Sequence, residues 1–581
     1  MVKTATMRDS LDLSPKTVAI SICFDENPLK DDDPQLVLVL NALWKLAMDQ
    51  PNNSKLPSLS FFECMSKLIF KGIYDEGWVC KHQNIFIPYY AAHIIGSYTM
   101  NTVKFAMMAV EAGVVPSLMD LLRGKMSWIE QRASVRALGH FASYDETFSA
   151  VAQYEEEVIT LTMGLICNCF SAVYGRFVAV EDRLGYHCDL LSKGCGGIEV
   201  ENRKAEDWAI QLQCWSIHLL NCFASKEMSL NLILEKGFLE GLCKQIFHTK
   251  SYDLFFPKRL RQKAIRGGLM NGTTSVAGIE LIKILCYSNI GRIGVAESKY
   301  VIETLCNLSR TSNELQYMGI YCLLILLKDP DTRKKVLDIS ASFLVDLVEV
   351  QNLGGITEVG KAISNTLLID YEENLVNTSK YSVEVQKILD ETWELKVLRK
   401  ETEKFTSEEV FEGRRFAVGL LKQQGDEKFH TGFIKEALVK YSESLDCCLL
   451  EMRKERVVLY SNRAQCYLQL GMPKPAIRDS TRALSLSDPV NSDSKSLWRR
   501  SQAYDMKGMA SESLMDCIMF IKEWDSSSKG VKVPSFVMRM IYKQMSATWI
   551  FAAASRVLND CNVPTETARD EKWETGEKDE N

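Results

Sequence analysis

A chain of 581 residues is too long for one hydrophobic core, so two or more domains are expected. With 46% hydrophobic and 25% charged residues it has the composition of folded protein, which excludes a largely disordered chain. The formal net charge of -6 argues against a nucleic-acid binder, which needs a basic face.

The first 34 residues carry charges and no apolar run of signal-peptide length, so 1–34 reads as a flexible N-terminus. The longest apolar stretches, at 158–170 and 319–327, fall short of the about 20 residues a membrane span needs. No membrane association is expected. Eighteen cysteines lie scattered in apolar helical patterns, Cys286, Cys306 and Cys322 among them. Reduced thiols in a cytosolic or nuclear protein are the simpler reading.

Over 35–380 apolar residues recur at spacings of three and four, the helical period. One segment is specific: FAMMAVEAGVVPSLMDLLRGKMSWIEQRASVRALGHFAS, residues 105–143. Ala112-Gly113 ends one helix, 114–122 forms a second with Pro116 in its first turn, and 129–141 forms a third with small Ala133 and Ala137. That three-helix plan resembles an armadillo repeat. A weaker copy, SLNLILEKGFLEGLCKQI at 229–246, and another over 298–350 with Pro330 between helical stretches extend the resemblance. It implies an armadillo- or HEAT-like solenoid. Within this region His187, Cys188 and Cys195 lie close together, but a zinc site wants four ligands in paired spacing. Cys167 and Cys169 fall on different faces of a helix. The basic run Lys258, Arg259, Arg261, Lys263 and Arg266 lacks the order of a phosphate-binding loop and reads as a solvated loop. No metal or other cofactor is expected.

Residues 381–411, rich in Glu and Lys, read as a helical connector. Beyond it, over 412–524, the chain repeats itself: GDEKFHTGFIKEALVKYSESL from Gly425, AQCYLQLGMPKPAIRDSTRAL from Ala464 and SQAYDMKGMASESLMDCIMFI from Ser501. Each copy opens on a small residue, carries Lys428, Tyr467 or Tyr504 three places on and Gly432, Gly471 or Gly508 seven places on, and places Ala437, Ala476 or Ser513 at twelve. Small residues let two helices of a hairpin approach, and the glycine supplies the turn between them. One hairpin cannot bury its apolar face alone, so the three stack. These positions resemble the tetratricopeptide family. The copies lie further apart than the family's roughly 34 residues, with extra length around 453–456 and 488–493. Lys428 also stands where an aromatic or small residue is common. A helix opening at Pro534 caps the stack over 525–560 through Phe536, Ile541, Trp549 and Phe551, and 561–581 forms a disordered acidic tail. The fold class expected is all-α: an armadillo- or HEAT-like solenoid followed by a three-repeat tetratricopeptide solenoid.

The tetratricopeptide resemblance implies a binding groove. Some members hold the C-terminal carboxylate of heat-shock chaperones, ending Glu-Glu-Val-Asp, between five residues. Lys422, Asn462, Lys495 and Arg499 match four of those positions, and Asp426 stands where the family has Asn. An ionised Asp only accepts hydrogen bonds, so it repels the incoming carboxylate and pairs with Lys422 one turn away. No Ser/His/Asp or Cys/His arrangement marks an active site among seven scattered histidines. The expectation is a non-enzymatic scaffold, a co-chaperone or chaperone-linked adaptor, whose groove holds a cytosolic chaperone's tail while the armadillo-like part engages an unidentified client. The alternative is an armadillo-type signalling or ubiquitin-pathway adaptor without chaperone binding. The same two repeat types occur in the myosin-chaperone family, there in the opposite order, so the client does not transfer.

Overall fold

The computed structural model describes residues 34–548, except 55, 82, 193–196, 249–273, 312–314, 354–355, 372–380 and 528–532. The expectations for 1–33, Cys195, the basic run beginning at Lys258, Trp549, Phe551 and the acidic tail lie outside the described residues.

The segment 105–143 forms three helices, Val103–Glu111, Val114–Leu122 and Trp128–Ser143. Gly113 joins the first two at a φ of 71°, a left-handed conformation that costs a side chain-bearing residue, and the two helices meet at 90°. The third starts on a capping box: Ser127 Oγ accepts from the Ile129 amide, and the Glu130 carboxylate accepts from the Ser127 amide. Its small residues serve close packing. A Cβ on Gly96 would sit 3.5 Å from the Ala137 methyl, in ordinary contact, so Ile87–Thr99 crosses there at short range.

Seven helices form a ladder in which each packs on the next. They are Pro34–Asp49, Ile87–Thr99, Trp128–Ser143, Ile198–Ala224, Thr274–Tyr287, Leu315–Lys328 and Val359–Leu367. The later copies are uneven. Residues 229–246 give only the single turn Leu230–Ile233 before Lys236–His248, whereas 298–350 give Lys299–Ser309, Leu315–Lys328 and Pro330–Leu344. Pro330 opens the last of these, with Asp329 Oδ1 accepting from the Asp331 amide at 3.0 Å. One apolar core runs from Leu36 to Leu389. The only strands among the described residues are the two-residue pair Asn352–Leu353 and Ile356–Thr357.

Two sequence expectations need correction. The apolar stretch at 158–170 continues as helix from Glu155 to Val178, 24 residues, long and apolar enough to cross a membrane by length and composition. The charged Glu155–Glu157 and the polar positions that follow had shortened its apparent reach. It packs against Ile198–Ala224 and Lys236–His248, with Val158, Ile159, Ile166 and Phe170 buried. And the thiols are not all reduced: Cys64 is disulfide-bonded, while Cys286, Cys306 and Cys322 are free and buried.

After residue 407 six helices form three antiparallel hairpins. The leading helices are Glu408–His430, Arg453–Gln469 and Ser494–Met506; the trailing ones are Ile434–Cys447, Pro473–Leu486 and Ala510–Ser527. Gly432, Gly471 and Gly508 turn the hairpins at φ of 84°, 70° and 70°. In each, the amide after the glycine reaches a carbonyl five residues back: Phe433 to Lys428 at 2.9 Å, Met472 to Tyr467 at 2.8 Å, Met509 to Tyr504 at 2.9 Å. This closes the orphan carbonyls of each leading helix in the same way. Hairpins two and three are also pinned by bidentate pairs, Arg463 to Asp479 at 2.7 and 2.9 Å and Arg500 to Asp516 at 2.7 Å on both sides. A last helix, Ser535–Thr548, covers the third hairpin, with Phe536 on Trp498 at 4.7 Å and Ile541 buried.

The two solenoids are docked on each other. The segment between them is helical over Val383–Trp393 and Arg399–Glu403, and its first helix belongs to the N-terminal core through buried Tyr381, Val385 and Leu389. Asp346, its side chain fully buried, accepts from Arg310 and from Arg482 Nε at 2.8 Å. Glu349 pairs with buried Arg456, its carbonyl accepts from Arg453 Nη2 at 3.3 Å, and Asn491 Nδ2 reaches Gln316 Oε1 at 2.8 Å. Arg453, Arg456 and Asn491 come from the two places where the repeats exceed their usual period. The extra residues share the joint with Arg482 of the second trailing helix.

Candidate functional site

The clamp positions come from all three leading helices. Asp426 is the hub. Its Oδ2 accepts from Lys422 Nζ at 2.8 Å, and its Oδ1 accepts from the Tyr441 hydroxyl at 2.7 Å and from Asn462 Nδ2 at 3.3 Å. Next to Asn462, Ser461 Oγ accepts from Arg499 Nη1 and from the Ser496 hydroxyl, the latter at 2.9 Å. Arg499 Nε also donates to Gln465 Oε1 at 3.2 Å. Lys495 stands exposed one turn before Arg499. Lys422, Asp426 and Asn462 are therefore brought into one cluster, and Arg499 is tied to it through the second leading helix.

The charges are unevenly matched. Lys422 has its carboxylate in Asp426, whereas Arg499 rests on neutral oxygens, and burial lowers the pKa of its guanidinium. Burial and the bond to Asp426 push the Tyr441 hydroxyl up, which keeps it a donor. An arriving carboxylate thus meets two cations without an acid partner on the third hairpin and a neutralised pair on the first.

Tyr441, Ser461 and Gln465 escaped the sequence reading. A signal for Tyr441 was present. A Cβ on Gly425 would fall 2.7 Å from its ring, so the glycine of the first copy makes room for a tyrosine. In the other copies Ala464 and Ser501 stand opposite buried Ser480 and Cys517 in the same register. Largest faces smallest, and that covariation across the repeats marks the pair.

Among the described residues no group of three or more His, Cys, Asp or Glu is placed to hold a metal ion. His187 Nε2 instead meets Ser127 Oγ at 3.0 Å, and Cys188 Sγ faces Glu201 Oε2 at 3.6 Å. Cys169 is buried and Cys167 half-buried.

A family model described as plant ARM repeat matches residues 4–235. Sperm-associated antigen 1A of Danio rerio is 41% identical over 88 residues, 15% of this chain and 20% of that protein. Protein unc-45 homolog B of Danio rerio is 32% identical over 96 residues, 16% and 10% of the respective chains. Mitochondrial import receptor subunit TOM34 of Homo sapiens is 46% identical over 67 residues, 12% and 20%. The chain thus covers at most a fifth of each of these three relatives. Among solved structures, a crystal structure of an engineered protein aligns over 92% of this chain and 99% of that one at a TM-score of 0.40 and 14% identity. The described residues form an all-helical repeat solenoid, and its N-terminal part falls within the match to the plant ARM repeat model.

Proposed function

We propose that the three C-terminal hairpins are tetratricopeptide repeats that hold the C-terminal carboxylate of a cytosolic heat-shock chaperone, and that the N-terminal solenoid carries the client. The observation that carries this reading is the arrangement around Asp426. Three leading helices contribute Lys422, Asn462 and Arg499 to one connected cluster, and Lys495 and Arg499 hold no carboxylate of their own. The joint supports it too. The N-terminal solenoid meets the second hairpin through Arg482 and Ser485 on its trailing helix and Arg453 and Arg456 in the first turn of its leading helix, none of which is a clamp position. In this reading the protein acts without catalysis of its own, as a non-enzymatic adaptor.

Asp426 weakens the clamp by repelling the peptide and by occupying Lys422 and Asn462. Asp426→Asn frees Lys422 and adds a donor, each charge-assisted bond contributing roughly 1.5–3 kcal/mol. Calorimetry with a peptide ending Glu-Glu-Val-Asp is expected to show at least about tenfold tighter binding by this variant. The same peptide amidated at its C-terminus is expected not to bind. Undetectable binding by both wild type and variant, with helicity intact, ends the proposal.

A further inference from the structure

The helical segment that joins the solenoids holds one lysine in a setting unlike its neighbours'. Between Val383–Trp393 and Arg399–Glu403 the backbone makes a π-turn, Glu394–Leu398, in which the Arg399 amide reaches the Glu394 carbonyl. Such a turn carries one residue more than an α-turn and recurs at functional sites. Lys396 lies at its centre and is half-buried, whereas Lys400 and Lys404, one and two turns on, are exposed. Among the described residues no hydrogen bond or ion pair holds the Lys396 ammonium, although charged groups crowd it. The carboxylate that faces it, Glu349, is already paired with Arg456. Arg453 donates to the Glu349, Ser485 and Leu486 carbonyls. Lys396, Lys400, Arg453 and Arg456 therefore set four positive charges around one negative charge.

Lys396 also lines a cavity of about 860 Å³ between the connector and the first hairpin. Val397, Phe411, Leu449 and Leu450 give it apolar walls. Its exposed lining carries both signs, Lys400 and Lys404 with Glu401, Glu408 and Glu451, and Glu403 is taken by Arg399 and by the Leu450 amide. Burial first, and then Arg456, Arg453 and Lys400 over the opposing Glu349, hold the Lys396 ammonium below the usual lysine range. An ammonium has no lone pair to offer an acyl carbon, whereas a neutral amine is a good nucleophile. Lysines are activated by desolvation against apolar surface and by a neighbouring cation, and Lys396 has both.

We infer that Lys396 is a site of covalent acylation by small acyl thioesters, which enter the cavity and transfer their acyl group to its amine. The ammonium first loses a proton to solvent. The amine lone pair then attacks the thioester carbonyl, and a C–N bond forms as the C–S bond breaks. The thiolate leaves with the bonding electrons and takes up the proton that the nitrogen sheds, so the products are an amide and a thiol. Acylation removes one of the four positive charges at the joint. The test incubates the full chain with N,S-diacetylcysteamine, an uncharged acetyl thioester, near neutral pH and reads acetylation at each lysine by peptide mass spectrometry. Lys400 and Lys404 lie on the same segment and serve as internal references, so no variant has to fold. Lys396 is expected to gain acetyl at least about threefold faster than either, since its lower basicity offsets only part of the gain in free amine. Its rate is expected to level off below the ordinary lysine pKa of about 10.4. In concentrated urea the three lysines are expected to react alike. Equal or slower modification of Lys396 in the folded chain overturns the proposal. So does a preference that survives in urea, since it then belongs to the local sequence and not to the cavity.

Discussion

Two regions of the molecule treat a buried arginine in opposite ways: the early ladder around Trp128–Ser143, and the stretch from the late ladder, where Arg310 and Arg333 hold Asp346 and Asp370, into the C-terminal hairpins. In the C-terminal hairpins and at the joint, Arg456, Arg463, Arg482 and Arg500 each meet a carboxylate with close geometry. In the N-terminal ladder Arg132 and Arg136 meet phenol, imidazole, amide, thioether and indole. The first arrangement closes on itself and makes structure. The second leaves the two guanidiniums without a counter-ion, on neutral acceptors and an aromatic face. Repetition differs in the same sense: the hairpins repeat one turn three times over, whereas the ladder varies its residues from helix to helix.

That contrast breaks most visibly at a closed pair. Asp516→Ala strands Arg500, a fully buried side chain, and is expected to cost about 3–5 kcal/mol in chemical denaturation. Arg132→Gln strands no ion and is expected to cost far less at similar burial. Equal losses would mean that both regions use arginine structurally. At the joint, Asp346→Asn removes the charge shared by Arg310 and Arg482 and is expected to cost about 2–3 kcal/mol, the order of a charged hydrogen bond. Its signature is calorimetric: a single thermal transition in the wild type and two in the variant, as the solenoids lose their common interface. A smaller effect, about 1–3 kcal/mol from overpacking, is expected for Gly425→Ala, whose methyl group collides with the Tyr441 ring. Tyr441→Ser, which copies the second hairpin at that position, is expected to recover part of it.

The sequence carried the hairpins almost whole, because their defining residues act locally. Gly432, Gly471 and Gly508 each set a turn that three neighbouring residues close, so spacing alone marks them. The armadillo segment was legible for the same reason, through Gly113 and the cap at Ser127. What could not be read depends on distance along the chain. Asp346 meets Arg482 across 136 residues and Gln316 meets Asn491 across 175, and no local pattern records either. The surplus length at 453–456 and 488–493 was visible but had no meaning until its partner surface was present. Asp426 was legible as a departure from the family pattern. Its role as acceptor for Tyr441 was not, since that tyrosine breaks the repeat only in one copy.

Acid distinguishes the halves most finely. His93, His140, His187 and His218 are all held below the ordinary imidazole pKa by burial, His187 at about 4, whereas His430, on the first leading helix, is exposed. A base whose folded pKa is lowered stabilises the fold fully above its unfolded value, near 6.5, and loses that contribution as pH falls toward the folded one. Glu130 works against them. Burial raises its carboxyl to about 7, so its contribution is complete below the unfolded value of about 4.5 and is lost as pH rises through 7. Between pH 7 and 5 the two effects oppose, and four histidines against one carboxyl leave a net loss of stability as pH falls. Hydrogen exchange read peptide by peptide is expected to show protection falling over 87–224 and holding over 453–520. Glu130→Gln removes the opposing titration, so the fall in the N-terminal ladder steepens. A variant that flattens it instead would mean that the histidines are already charged in the fold, and with them the neutral surroundings on which the unmatched charge of Arg132 and Arg136 depends.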